Sequence, residues 1–333
     1  MTSRSDPPLP YLVSREEARA AGMSDRQVSR RGRRQWVRVR RGQFVVPTGG
    51  RRPHPMDVVL AAAMRSTSRE VVIGHGQAAR LWGLPSPIGG WPAPVLLTRN
   101  GPHRDRNGIR TVVTPLADDE VVRLPSGLLV TSPVRTVTDC LRVLRPPDAL
   151  AVTDAAARRL VPAAVLVAAV DGLAGWPGVV QARRLVALAD GRRESPLESW
   201  SAVAFDDLDV PQPLWQADIS DREGAVGRGD SWWSCGVVGE SDGKAKYRLR
   251  AEERGGADAA RLAQVLHEER ERERRLRAAG LTVVRWGPRD VLSPRAADVF
   301  AAHLRRKLAE RAGRTHSADV TPHPFTAPPW PPT

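Results

Sequence analysis

Two helix-start signatures stand close together near the N-terminus, Ser14-Arg15-Glu16-Glu17 and Ser24-Asp25-Arg26-Gln27. A Ser followed three residues later by Glu or Gln is the capping-box pattern, in which each side chain satisfies the other residue's free backbone N–H. The first helix has room to run only to Gly22, and the second to about Gly32. The stretch WVRVRRGQFVVP follows and alternates: Trp36, Val37 and Val39 precede a turn at Arg41-Gly42, and Phe44, Val45 and Val46 lead to Pro47. That is the pattern of a β-hairpin. Two short helices running straight into a hairpin leave this segment little freedom in how it folds.

This order is that of a winged helix-turn-helix, and positive charge concentrates on it. Arg26, Arg30, Arg31, Arg33 and Arg34 lie on or just after the second helix, and Arg38, Arg40 and Arg41 lie on the hairpin. A recognition helix presents its N-terminal residues to base edges while basic neighbours hold phosphates. Arg26, Gln27 and Arg30 are therefore expected on the exposed face, with Arg31, Arg34, Arg38, Arg40 and Arg41 on the backbone of duplex DNA. The chain as a whole carries a formal net charge of +14, most of it from Arg. A basic balance of that size fits a polyanionic partner, although an Arg-, Ala-, Gly- and Pro-rich composition also follows from a GC-rich genome. It is the position of the charge that favours DNA.

The 333 residues suffice for several domains. The expected fold class is a multidomain α/β protein: a winged helix over 10–50, an α+β middle domain over 51–193, an α/β/α domain over 194–313, and a disordered Pro-rich tail over 314–333. The middle domain should contain strands at APVLLTRN and GIRTVVTP, and a strand, turn and helix at GLLVTSPVRTVTDCLRVL. His75 at a helix start reads as a capping or packing residue. Cys140 and Cys235 are too few and too far apart for a disulfide framework or a zinc site. No apolar segment has the length of a membrane span, and the N-terminus lacks a signal-peptide core. A cytoplasmic protein without a small-molecule cofactor is expected.

The chemistry concentrates near the C-terminus. VGRGDSWW and GVVGESDG are candidate strands joined by Ser234, Cys235 and Gly236. Equal steps from Cys235 place Asp230 opposite Glu240, where Cβ atoms on one face stand roughly 5 Å apart. Two carboxylates so placed repel unless a divalent cation lies between them. Asp242 follows on the Glu240 side, about 7 Å further along, and Lys244 and Lys246 come just beyond. Carboxylates holding Mg²⁺, with a Lys nearby, suit phosphodiester hydrolysis. The run HEERERERRLR reads mainly as an exposed helix face of mixed ion pairs, and Trp200, Trp215, Trp232 and Trp233 read as core.

GRGD and GESDGKAKY, preceded by ESPLES and followed by ERERERRLRAAGLTVVRW, resemble the PD-(D/E)XK nuclease fold. More narrowly, they resemble proteins with a domain akin to very-short-patch-repair endonucleases. The resemblance implies Glu198, Asp230 and Glu240 as the acidic set, with Asp230 and Glu240 holding Mg²⁺, Asp242 and Gly243 in the E-x-D-G motif, and Glu269 and Arg272 as secondary site residues. In a strict E-x-K triad a Lys would stand at position 242, which is Asp242 here, so Lys244 or Lys246 would have to reach in. LVSREEARAAGMSDRQVSRRGRRQWVRVRRGQFVVP, with HGQAARLWGLP and VTSPVRTVTD, resembles AbiEi-type abortive-infection antitoxins. That implies DNA binding, a role in phage defence or autoregulation, and a cognate toxin as partner. Two functions stay open: a Mg²⁺-dependent endonuclease, or a non-catalytic antitoxin-like transcriptional regulator.

Overall fold

A computed structural model of the chain describes residues 12–40, 42–46, 71–93, 95–99, 104–106, 109–124, 128–241 and 259–330. The fold is mixed α/β, with one three-stranded, one six-stranded and one five-stranded sheet among these residues. The chain divides into two compact units, one formed by residues 1–83 and 89–139 and the other by 84–88 and 140–333.

The first unit opens with β1 (Leu12–Ser14), α1 (Arg15–Ala20), α2 (Asp25–Arg34), β2 (Val37–Arg40) and β3 (Gln43–Val45). Both capping boxes form: Ser14 Oγ accepts from Glu17 N at 3.0 Å, and Ser24 Oγ accepts from Gln27 N at 3.3 Å. Val13, Ala18, Met23, Val28, Trp36 and Phe44 make the core. Gly32 is glycine because a Cβ there would stand 2.6 Å from the Phe44 ring. Strand β1 was not expected. It pairs antiparallel with β3, Leu12 opposite Val45, and three residues whose partner lies so far along the chain carry no local pattern.

The same unit holds β4 (Val72–Gly74), α3 (His75–Leu81), β5 (Val95–Thr98), β6 (Arg104–Arg106), β7 (Ile109–Val113), β8 (Val121–Arg123), β9 (Leu129–Thr131) and the start of α4 (Pro133–Val143). Strand order is β6-β7-β5-β4-β9-β8, with β4/β9 and β5/β7 parallel. The strands read from APVLLTRN, GIRTVVTP and GLLVT are β5, β7 and β9. His75 starts α3 in the left-handed region (φ 51), with Nε2 4.0 Å from Asp139 Oδ2. The buried Arg135 donates to Asp139 at 3.0 Å and to Glu120 at 3.0 Å.

The second unit continues with α5 (Pro146–Arg159), α6 (Ala163–Asp171), α7 (Val179–Ala187), α8 (Pro196–Asp207), β10 (Leu214–Asp221), β11 (Gly224–Trp233), β12 (Val237–Ser241), α9 (Ala259–Ala278), β13 (Thr282–Trp286), α10 (Pro288–Leu292), α11 (Pro294–Arg311) and β14 (Asp319–Pro322). Its sheet runs β13-β12-β11-β10-β14, and only β12/β13 is parallel. One face carries Phe205 of α8 and Phe300 of α11 against Trp215, Trp233 and Trp286. The other packs Ala217, Ile219, Trp232 and Val238 against Leu276 of α9. Both cysteines are free.

The division into compact units falls at 139/140 and does not coincide with the expected boundary at 193/194; α5 is tied to the segment entering α8. Asp154 of α5 accepts from Arg193 Nε at 2.6 Å and from Asp190 N at 2.9 Å, with both charged side chains buried. Nor is the Pro-rich segment from 314 without structure. Asp319–Pro322 forms β14 against β10, with Ile219 opposite Val320 and Ala217 opposite Pro322. An open β10 would leave a row of unpaired backbone groups, and a proline is tolerated on the edge strand that covers it.

Candidate functional site

The acidic constellation gathers in the second unit, at the end of the sheet where β11 and β12 part. The hairpin turns at Ser234-Cys235-Gly236, with Gly236 left-handed (φ 90) and its N–H on Trp233 O. The register runs Trp233 to Val237, Trp232 to Val238 and Ser231 to Gly239. One further step would put Asp230 opposite Glu240, but the ladder stops. Asp230 Oδ2 instead accepts from Ser241 N at 2.8 Å and from Ser241 Oγ at 2.6 Å. Glu240 Oε1 accepts from Arg272 Nη2 of α9 at 2.6 Å. The second oxygen of each carboxylate has no hydrogen-bond partner among the described residues.

Glu198 comes from the first turn of α8 by the same signature that starts α1: Ser195 is the N-cap and Glu198 stands three residues on. The spacing was legible in ESPLES. Glu198 Oε1 takes the Ser195 hydroxyl at 2.6 Å, and Oε2 takes Glu194 N at 3.0 Å and the Gln216 amide at 2.8 Å. Its oxygens are thus committed within the protein, which makes it a positioning group rather than a free ligand.

Gln216 is the residue that sequence reading missed. It has φ 56, a backbone state that costs a non-glycine residue about 1–2 kcal/mol. In register it would oppose Asp230, yet pairing skips from Trp215–Ser231 to Ala217–Gly229. The left-handed residue resets the strand's alternation: Leu214, Ala217 and Ile219 share one apolar cluster, whereas Trp215 packs on Phe205 and Gln216 reaches Glu198. Its carbonyl accepts from His323 N, just beyond β14, at 2.9 Å. No pattern in LWQADIS signals a left-handed residue.

The electrostatics tie the three acids together. Burial pushes the Glu240 carboxyl up to about 6, outweighing the Arg272 guanidinium, and the Asp230 charge adds to the rise. Burial likewise raises Glu198 against its hydrogen bond from Ser195, and Asp230 again adds to it. Around this centre Arg285, opposite Glu240 in the β12/β13 register, pairs with Glu269 at 2.6 Å and also with Glu273. Glu269 stands 3.5 Å from Arg272. The rest of the acidic and basic run on α9 is largely surface pairing, such as Arg274 with Glu271 and Arg277 with Glu273. Asp242, Gly243, Lys244 and Lys246 lie outside the described residues. Among the described residues, no three His, Cys, Asp or Glu side chains are grouped closely enough to hold a metal ion by themselves. Mg²⁺ does not need such a cage, since it commonly binds one or two carboxylates, waters and substrate phosphate oxygens. The free oxygens of Asp230 and Glu240 fit that requirement.

The basic residues of the first unit form a stripe. Arg26, Arg30 and Arg34 are exposed along α2 at four-residue steps, so they share one face. With Arg33, Ser29 and Asp25 they line an open cleft of about 650 Å³. None of these three arginines has an ion-pair partner among the described residues, because the nearby Asp25 is held by Arg15 at 2.9 Å and by Arg19. Arg31 bonds Gln35 at 2.7 Å, and Arg38 is exposed on β2. Gln27 is engaged in the α2 cap, with Oε1 on Ser24 N at 2.7 Å. Arg40 lies in β2, and Arg41 lies outside the described residues.

No helix among the described residues is long and apolar enough to cross a membrane. No family model matches the chain. It is similar to two uncharacterized proteins of Mycobacterium tuberculosis, MT2308 of strain CDC 1551 / Oshkosh and Rv2248 of strain ATCC 25618 / H37Rv. Each is 39% identical over 109 residues, a segment that is 32% of this chain and 40% of the relative. The chain thus spans well under half the length of these curated relatives.

Proposed function

We propose that this is a DNA-binding protein of the winged-helix type whose second unit carries a PD-(D/E)XK-like, Mg²⁺-dependent centre that hydrolyses DNA phosphodiesters, in a setting such as phage defence. The observation that carries the reading is the convergence of Glu198, Asp230 and Glu240, from α8, β11 and β12, where the Asp230 charge acts on both of the others. Holding the buried Glu198 and the mostly buried Glu240 in the field of Asp230 is costly to folding and is the kind of arrangement found at functional sites.

Asp230 and Glu240 would hold the cation. A bound Mg²⁺ lowers the pKa of a coordinated water and neutralises charge on the phosphate. Ser241 orients Asp230, while Ser195 and Gln216 fix Glu198 beside it. The arginine stripe of α2 would hold duplex phosphates, and its charge makes binding salt-dependent.

Supercoiled plasmid incubated with Mg²⁺ tests the hydrolytic reading. Nicking by the wild type, lost in Asp230→Ala and in Glu240→Ala, is expected. Absence of nicking, or activity that survives both substitutions, rejects it. A second reading is a non-catalytic, antitoxin-like regulator with a cognate toxin as partner. It is favoured by the Arg272 guanidinium on Glu240 and by Asp242 where a strict triad has Lys. Specific duplex binding without nicking would select it.

A further inference from the structure

Arg272 reaches Glu240 by a built path. Its side chain leaves α9 and crosses β11 at Gly227, where a Cβ would stand 3.0 Å from Arg272 Nε and 3.4 Å from Cδ. Gly227 also has φ +136, so a side chain there would be strained as well as crowded against Arg272. Past this gap the guanidinium donates to Arg228 O at 2.9 Å and to Glu240 Oε1 at 2.6 Å. The pair is mostly buried, with side-chain exposures of 17% and 16%. Glu269 also pairs with Arg272, at 3.5 Å, but is held more closely by Arg285, at 2.6 Å. One positive charge is thus delivered to one of the two carboxylates that would hold the cation.

We propose that Arg272 is an internal counter-ion that competes with a divalent cation for Glu240, and so sets how much cation the site needs before it loads. The inference rests on the proposed cation site and adds its regulation. A guanidinium and a divalent cation cannot both take the full charge of one carboxylate. Loading therefore has to weaken a charge-assisted hydrogen bond, which makes the site's affinity lower than that of the same carboxylates without the guanidinium. Arg272 acts here through Glu240 and is a positioning residue.

The test is calorimetric titration of the full chain with Mn²⁺ alone at mildly alkaline pH, comparing wild type, Arg272→Met, Arg272→Gln and Asp230→Asn, each checked for its folded circular-dichroism spectrum. Met keeps the aliphatic stem beside Gly227, and Gln keeps a donor toward Arg228 O without the charge. Both should bind Mn²⁺ about tenfold or more tightly than wild type, as expected from removing one charge-assisted bond, and Asp230→Asn should bind far more weakly. If Met fails to fold, Gln decides alone. Affinity that is unchanged or weakened in the folded Arg272 variants, while Asp230→Asn still abolishes binding, overturns the competition and leaves the cation site standing. Absence of Asp230-dependent Mn²⁺ binding in every form overturns both.

Discussion

Glu240 should make the second unit less stable as pH rises through the weakly acidic range. Burial lifts its carboxyl from an ordinary 4.5 to about 6. Between those values the folded chain holds a proton that the unfolded chain has released, so stability falls as pH rises. The difference of about 1.5 units corresponds to about 2 kcal/mol, at roughly 1.4 kcal/mol per unit. The penalty is absent below the unfolded value and complete above the folded one. Glu240→Gln removes the titrating group. It also leaves Arg272 without its carboxylate, but Arg stays charged throughout this range, so that loss is a constant offset. The stability of wild type relative to Glu240→Gln should therefore drop by about 2 kcal/mol between about pH 4 and about pH 7.5. Urea unfolding read through tryptophan fluorescence, to which Trp215, Trp232, Trp233 and Trp286 of the sheet's own strands contribute, measures both curves. Parallel curves, or a wild type that gains on the variant as pH rises, would refute the account of a buried, charge-crowded Glu240.

Arg26→Ala, Arg30→Ala and Arg34→Ala combined should reduce the slope of log affinity against log salt for a duplex by roughly three units, at about 0.9 per phosphate contact; anisotropy titrations at several salt concentrations check this, and an unchanged slope removes α2 from the DNA surface. At Gln216 both Ala and Gly lose the amide bond to Glu198, worth about 1 kcal/mol or more. Gly also escapes the left-handed strain, so Gln216→Ala should be less stable than Gln216→Gly by about 1 kcal/mol, and the reverse order in urea unfolding contradicts the strain argument. Ending the chain after Arg314 strips β14 from β10 and uncovers the cluster that Ala318 and Val320 pack against; light scattering should then show self-association through the bared edge, whereas a monomer with unchanged thermal stability would refute the role given to β14.

Much of the local structure was legible. Ser14 and Ser24 announced α1 and α2 because capping is a contact across three residues, and Gly236 announced the β11–β12 turn because a left-handed position there suits glycine. Capping also lay within reach at Ser195 and Glu198. Asp230 and Glu240 could be named together, since equal steps from a turn give a register, whereas Glu198 was named only through the resemblance of its surrounding motif. What the register could not give was its end. The ladder stops at Ser231–Gly239, Asp230 turns to Ser241, and Arg272, 32 residues downstream of Glu240, arrives from α9.

By itself, the sequence determined the short-range elements, the basic surface of α2 and the turn that aligns β11 with β12, because each depends on contacts or periodicities a few residues long. Only the tertiary structure decided that Gln216 is left-handed, that β14 closes the sheet, that α5 belongs with the second unit and that Glu240 is met by a guanidinium. Those features arise where segments distant in the chain compete for the same backbone groups and the same charge, and spacing along one strand carries no record of that competition.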